Sequence, residues 1–472
     1  LYCEAMTDNA YTKQPNDFTQ NIGNGSYSTA DSYVKQVWDG RYTGIRMCNQ
    51  LLENIDRVPD LDPELKKRYI GEAKVLRAYS YYELYTKFGD IPYTTKVLSI
   101  KESMSIARTA KATVIANVLA DLDEVINGNY LPTSYDADNK GRITRWAAMA
   151  IKAKIYLFEG NWTQVKNITS TIMTEGGFKL FGSYAGLFEI ANEYNSEVIL
   201  DAQYRPTSRE HQMMYVFLPP TLGGYSQLSP LQELVDSYIM LDGKTIKETG
   251  TSFDESHPYA NRDPRLKATV MYTGNSYTLA DGTEVVINCE KGEGKDGYGV
   301  GSDCSATGYY IKKYWDNTYR ATLYSGLNPI LIRYADILLM NAEALAELGE
   351  LDKTAWDATI KPIRDRAGFT LASALEFPEG ASKDKLIEIV RNERRSELAL
   401  EGHRHKDIIR WRIADNVLNG WCHGLKTNDV VGTDDGYVRV ENRTFNANKH
   451  YLWPIPQAER DLNGNLEQNP NW

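Results

Sequence analysis

The sequence predicts a mostly α-helical protein: a scaffold of tetratricopeptide-like helical hairpins carrying a large, irregular, loop-rich insertion with short strands. Three observations carry this expectation. Long stretches on both sides of residues 178–328 place apolar residues at helical spacing. Two of these stretches end alike, in a Gly turn followed by a second helical run. Between them Gly, Pro, Tyr, Asn and Asp are frequent and helical periodicity is weak.

Residues 7–30 are rich in Asn, Gly, Ser and Tyr and read as a long loop. Residues 32–58 and 63–88 read as two long helices, broken at Pro59 and at Gly89-Asp90. A third spans 113–127, with Thr113 as the expected cap. Residues 144–160 then place Trp146, Ala150, Ala153 and Leu157 on one face, turn at Gly160, and enter a helix running to Glu175. Residues 332–349 repeat the pattern with Tyr334, Leu338, Ala342 and Leu345, turn at Gly349, and enter a helix running to Arg366. Aligning the two glycines sets Ala153 on Ala342 and Trp162 on Leu351. Small Ala side chains let paired helices approach and Gly turns the chain, which is the logic of such hairpins. In the insertion, 197–204, 283–288 and 308–315 read as strands. The expected organisation is one domain, 1–472. It has a helical scaffold at 31–177, a loop-rich binding insertion at 178–328, helical hairpins at 329–412 and an irregular segment at 413–472.

The stretch IVRNERRSELALEGHRHKDIIRWR, residues 389–412, is the most informative. Ser382 can cap the helix leading into it, and Gly402 is a natural stop. Leu386, Val390, Glu393, Glu397 and Leu400 share a helical face, so two carboxylates continue an apolar stripe. A carboxylate facing a core is costly unless paired and hydrogen-bonded. Arg391, Arg394, Arg395, Arg404, Arg410 and Arg412 offer partners. The favoured reading is a structural ion-pair network; a Glu/His catalytic or metal cluster is the alternative.

Lys and Arg total 53 against 63 Asp and Glu, a formal charge of −10, which repels phosphate backbones and argues against nucleic acid. No apolar run is long enough to span a bilayer. Five cysteines, an odd number, leave one unpaired within a monomer. Cys289 and Cys304 flank a Gly-rich loop and are the one pair close in sequence; their bonding is left open. Without a CxxC pair, a structural zinc site is not expected.

Other motifs fail on context. Gly292, Gly294 and Gly297 match GxGxxG, but no helix follows to receive a pyrophosphate. Residues 136–141 resemble the start of a calcium loop, but Ala147 stands where a bidentate Glu is required. His403 and His405 have metal-ligand spacing but no third His nearby, so packing is favoured. HExxH, GxSxG and Walker patterns do not occur, and no cofactor or metal is expected.

The run ERRSELALEGHRHKDIIRW resembles the C-terminal signature of SusD-like (SusD/RagB) proteins, glycan-capturing outer-membrane lipoproteins of Bacteroidetes. EAKVLRAYSYYELYTKFGDIPY (72–93), LIRYADILLMNAEALAELG (331–349), IRDRAGF (363–369) and the terminal YLWPIPQAERDLNGNLEQNPNW agree in the family's order. QNPNW stands where the family often closes with QNPGY. The resemblance implies several helical hairpins, a non-enzymatic nutrient-capture role at the extracellular face of the outer membrane, and a SusC-like TonB-dependent transporter as partner. It also implies further N-terminal residues with a signal peptide and a lipid-bearing cysteine. That lipid would be the only link to the membrane. Cys3 is not expected to be that cysteine, because nothing before it resembles an export signal.

A protein that holds a polysaccharide needs flat aromatic faces against sugar rings and polar groups for the hydroxyls. With 32 Tyr against 11 Phe and 9 Trp, the chain is rich in the amphipathic aromatic. Trp146, Trp162, Trp411 and Trp453 fall in helical or terminal signatures and are assigned to packing. The binding candidates lie in the two irregular regions: Tyr11, Phe18 and Tyr27 in the opening loop, and Tyr272, Tyr277, Tyr298 and Trp315 in the insertion. The expected ligand is an oligo- or polysaccharide. The rivals are a peptide or other nutrient, and a glycoside hydrolase using two carboxylates.

Overall fold

In the computed structural model, residues 2–13, 18–318 and 323–472 are described. They divide into two units. One comprises the chain up to Asn24, Gly177–Ile408 and Asn416–Thr444; the other comprises Gly25–Gly176, Ile409–Asp415 and Phe445–Trp472.

The second unit is helical because its sequence supplies both stripes and caps. Asp31 accepts from the Tyr33 amide at 2.9 Å and starts Ser32–Asn54. Asp62 accepts from the Leu65 amide, with Pro63 in the first turn, and starts Pro63–Phe88. The third helix is Lys111–Asn127; it begins two residues before Thr113 and has no side-chain cap. Thr144 and Asn161 cap the hairpin helices Arg145–Phe158 and Trp162–Glu175, and Gly160 between them takes φ +70°. Ala147, Ala148, Ala150 and Ala153 are buried on the first of these. The chain end is stitched back onto the Pro63–Phe88 helix. The Trp453 amide donates to Lys87 O at 2.7 Å, and Asn469 Nδ2 donates to Phe88 O and Trp453 O.

The first unit carries the second hairpin, Tyr334–Leu348 and Lys353–Ala367, turned at Gly349 with φ +73°. The expected start at residue 332 is corrected: Ile330–Arg333 is a strand, because its β-branched run pairs antiparallel with Val198–Asp201. Ser382 caps Lys383–Glu397, as its sequence indicates. That helix ends at Glu397, before Gly402, with Leu398 as its C-cap, so Leu400, at φ +62°, lies beyond it and not on its apolar face as expected.

Its two inward carboxylates are paired. Glu397 receives Arg265 at 2.9 Å, Arg333 at 2.6 Å and Arg366, while Glu393 receives Arg265 and Arg364, each at 2.7 Å. Arg333 continues the network to Glu197 at 2.7 Å, and Lys313 meets Glu401 at 2.6 Å. Burial alone pushes both Glu393 and Glu397 up, but the surrounding guanidiniums outweigh it and hold both below the usual carboxylate range. The structural ion-pair network is therefore what the stretch builds. His403 and His405 belong to no metal-type cluster among the described residues.

The opening segment differs from the expected loop. It contains a 3-10 turn at Tyr2–Met6, a strand at Ala10–Thr12 paired with Leu228–Pro230, and a helix at Phe18–Asn24. Tertiary contacts order it despite weak local propensity. Asp8 pairs with Arg404 at 2.8 Å and Arg395 at 3.0 Å, Glu4 accepts from the Gly402 amide, and Arg443 donates to Thr7 O. Nor is residues 413–472 wholly irregular: Gly420–Lys426, Thr433–Asp434 and Tyr437–Arg443 form a three-stranded antiparallel sheet. The remaining sheets are two-stranded: Val270–Met271 with Tyr310–Ile311, and Ser276–Thr278 with Glu284–Val286. Cys289 and Cys304 are buried and both thiols are free.

Candidate functional site

A cleft of about 970 Å³ opens in the first unit, lined by four tyrosines, Tyr259, Tyr272, Tyr309 and Tyr437, among polar side chains. Local structure explains why they meet. Tyr272 leaves the Val270–Met271 strand into a turn at Gly274, whose φ is +86°. Asn275 fixes that turn by donating to Lys267 O and Val270 O. The segment bearing Tyr259 is pinned by the buried Arg262, whose guanidinium donates to Val235 O at 2.6 Å, Tyr238 O at 2.8 Å and Pro258 O at 2.8 Å. The two rings then stack, with centroids 4.0 Å apart and planes 16° apart. Tyr309 lies edge-on to Tyr259; their hydroxyls are 3.2 Å apart, and Tyr309 donates to Gln232 Oε1 at 2.6 Å.

Burial raises the phenols of Tyr259, Tyr272 and Tyr309, so they stay neutral at physiological pH and can both donate and accept. Around them Lys426 pairs with Glu255 at 2.9 Å, and Lys291 pairs with Asp429. The arrangement offers an aromatic wall beside charged and polar hydrogen-bonding groups. A sugar, with apolar ring faces and hydroxyl edges, requires that combination.

Of the aromatics singled out from sequence, Tyr272 lies in this cleft, and Tyr298 is next to it. Half-buried Tyr298 donates its amide to Cys289 O and accepts from the Gly292 amide, closing a turn that contributes Cys289, Glu290 and Lys291 to the wall. Tyr277 is fully buried, at 0% exposure, and its hydroxyl donates to Ile311 O at 2.7 Å. Half-buried Trp315 packs on it at 5.0 Å and donates from Nε1 to Thr278 O at 2.8 Å. Tyr11 is half-buried on the Ala10–Thr12 strand, where its hydroxyl accepts from Gln20. Tyr27 is buried in the second unit, at 4% exposure, against His450, Trp453 and Trp472. Phe18 opens the Phe18–Asn24 helix; its side chain lies outside the described residues. Tyr272 thus lies in the cleft wall and Tyr298 on a turn beside it; both pack, with Trp315, on the hydrophobic core that encloses Tyr277, while Tyr27 is enclosed in the second unit. Tyr277→Ala is expected to cost about 3–5 kcal/mol in urea unfolding, as for other buried aromatics; a wild-type midpoint would contradict its core role.

Sequence reasoning missed Tyr259, Tyr309 and Tyr437. Tyr309 and Tyr437 sit beside Gly308 and Gly436, both with positive φ, and Tyr259 follows a His-Pro turn. Aromatics next to such turns were the available signal.

The chain matches the SusD family, so described, over residues 187–472. The chain belongs to the SusD family. Residues 1–157 match a second SusD-like family, described as starch-binding associating with outer membrane. A SusD-like protein of Formosa agariphila, P25, is 28% identical over 409 residues, covering 82% of this chain and 71% of that one. A SusD-like carbohydrate binding protein from Bacteroides fragilis superposes with a TM-score of 0.88 at 29% identity, covering 98% of this chain and 92% of the other. A second SusD-like protein from that organism gives 0.85 at 27% identity, covering 100% and 93%. The SusD-like assignment and the helical, tetratricopeptide-like fold expected from sequence both hold.

Proposed function

We propose that this SusD-family protein captures an oligo- or polysaccharide at the cell surface and delivers it to a SusC-like TonB-dependent outer-membrane transporter. It would sit lipid-anchored on the extracellular face. The observation that carries the capture role is the Tyr259–Tyr272 stack facing the polar cleft. The relative from B. fragilis named as carbohydrate binding supports it.

The cleft's chemistry favours holding over cleaving. Hydrolysis needs one carboxyl that is protonated and one that is free. Of the four carboxylates lining the cleft among the described residues, Glu255 and Asp429 are each engaged by a lysine, and the Lys291 contact holds Asp429 below the usual carboxylate range, so Asp429 has no proton to give; product release decides for the other two, Glu290 and Glu293.

The test is native electrophoresis through gels containing starch, laminarin, xylan or a mucin-type glycan. Retardation by one of them, with no new reducing ends after long incubation, is the expected result. New reducing ends would replace capture by hydrolysis. Mobility unchanged in every gel would sink the glycan reading and favour a peptide.

A further inference from the structure

The three-stranded sheet of the first unit shows solvent a face that its sequence hides. Strand alternation would put Trp421 and His423 on one side and Lys426 on the other. The register breaks this. His423 pairs with Arg439 and Lys426 with Tyr437, so two residues on one strand oppose one on its partner. This is a bulge. Its inserted residues, Gly424 and Leu425, are buried, and the Leu425 amide donates to Thr307 O at 2.7 Å. Trp421, His423 and Lys426 therefore share one face, opposite Asn442, Arg439 and Tyr437.

An aromatic stands at each end of this face. Trp421 is 44% exposed, with the Arg439 guanidinium 5.6 Å from its ring centroid. Tyr437 has the Lys426 ammonium 5.2 Å from its own. Both Tyr437 and Lys426 also line the tyrosine cleft. Trp421 lines a second cleft of about 420 Å³ beside Glu233 and Asn392. The span from Trp421 to Lys426 is roughly 15 Å of extended strand, longer than a disaccharide needs.

Each cation on the face is already matched. Arg439 pairs with Asp434, and His423 lies between Glu233 at 2.8 Å and Asp434 at 3.0 Å. Lys426 pairs with Glu255. Such pairs offer donors and acceptors to hydroxyl groups without a net charge to attract sulfate or uronate.

We propose that this sheet face is a second sugar-binding platform, continuous with the tyrosine cleft through Tyr437 and Lys426, and that the ligand is a neutral, linear glycan several units long. This rests on the capture reading above.

The experiment is titration calorimetry with starch, laminarin and xylan, with their disaccharides and longer oligomers, and with polygalacturonate and dextran sulfate as anionic probes. Wild-type protein and Trp421→Ala are compared; Trp421 is exposed, so the variant should fold, and its melting curve verifies this. The expected result is a neutral polymer preferred over both anions. The variant should bind its long oligomers about tenfold more weakly and its disaccharide as wild type does. Equal affinity of variant and wild type for long oligomers overturns the platform and leaves the cleft intact. Preference for an anionic polymer overturns the neutral ligand. Binding of no probe by wild type overturns this proposal together with the capture reading.

Discussion

Glu397→Ala should cost about 3–5 kcal/mol, the range for removing one partner of a buried ion pair. The cost arises because Arg265, Arg333 and Arg366 all converge on that carboxylate in a region sealed from water. Water cannot replace what is lost, so several guanidiniums keep their desolvation penalty with less compensation. Urea unfolding of the variant should show this as a lower midpoint or as failure to obtain folded protein; a wild-type midpoint would mean that the network is energetically idle. The same groups set a pH dependence. Glu393 and Glu397 have folded pKa values below their unfolded ones. Their contribution is therefore complete above the unfolded carboxyl pKa, about 4.3, and is lost as pH falls further. Glu4, raised by burial, works in the opposite sense and offsets part of the loss. Glu393 and Glu397 should therefore withdraw their stabilisation steeply below about pH 4, while His450, whose imidazole burial lowers to about 4, and His211, lowered likewise, add a loss that begins as pH falls below about 6.5.

The double variant Tyr259→Ala/Tyr272→Ala should bind its glycan about ten- to a hundredfold more weakly, the range for losing an interface anchor. The two rings support each other at 4.0 Å, so either single change leaves the remaining ring without its stacking neighbour. The effects of the two should therefore not add. Both side chains are half-buried, and Arg262 rather than either tyrosine pins the segment, so the fold should survive. Tyr272→Phe keeps the ring face and should retain most of the affinity. If the double variant binds as wild type, the ligand does not contact this wall.

The scaffold was legible because its helices satisfy several local rules at once: capping Asp, Thr, Asn or Ser, a Gly turn, and an apolar stripe. The network was half legible. Glu393 and Glu397 on an apolar stripe announce buried charge, but their partners are not the arginines of the same stretch. Arg394 goes to Asp336 and Asp407, and Arg395 and Arg404 go to Asp8. The guanidiniums that do reach Glu397 come from residues 31 to 132 positions away in the chain, which no local spacing can reveal. The cleft follows the same rule. Tyr272 sits in the irregular region that the sequence marks, whereas its stacking partner Tyr259 is placed by a buried arginine holding three carbonyls. Trp421 and Tyr437 were hidden because bulges break the alternation that marks a strand.

The stitching of the opening segment has a kinetic consequence. Thr7 and Ala10 give their carbonyls to Arg443, so the first strand of the unit is completed by residues made more than 400 positions later. Contacts of such separation carry a loop-closure cost before they return any stabilisation. A chain emerging from the ribosome can form the 25–176 helices early, but the segment before them must wait, unsatisfied, for the last sheet to arrive. Closure of the unit's two ends is then expected to come late in its assembly, with the opening strand exposed until it happens.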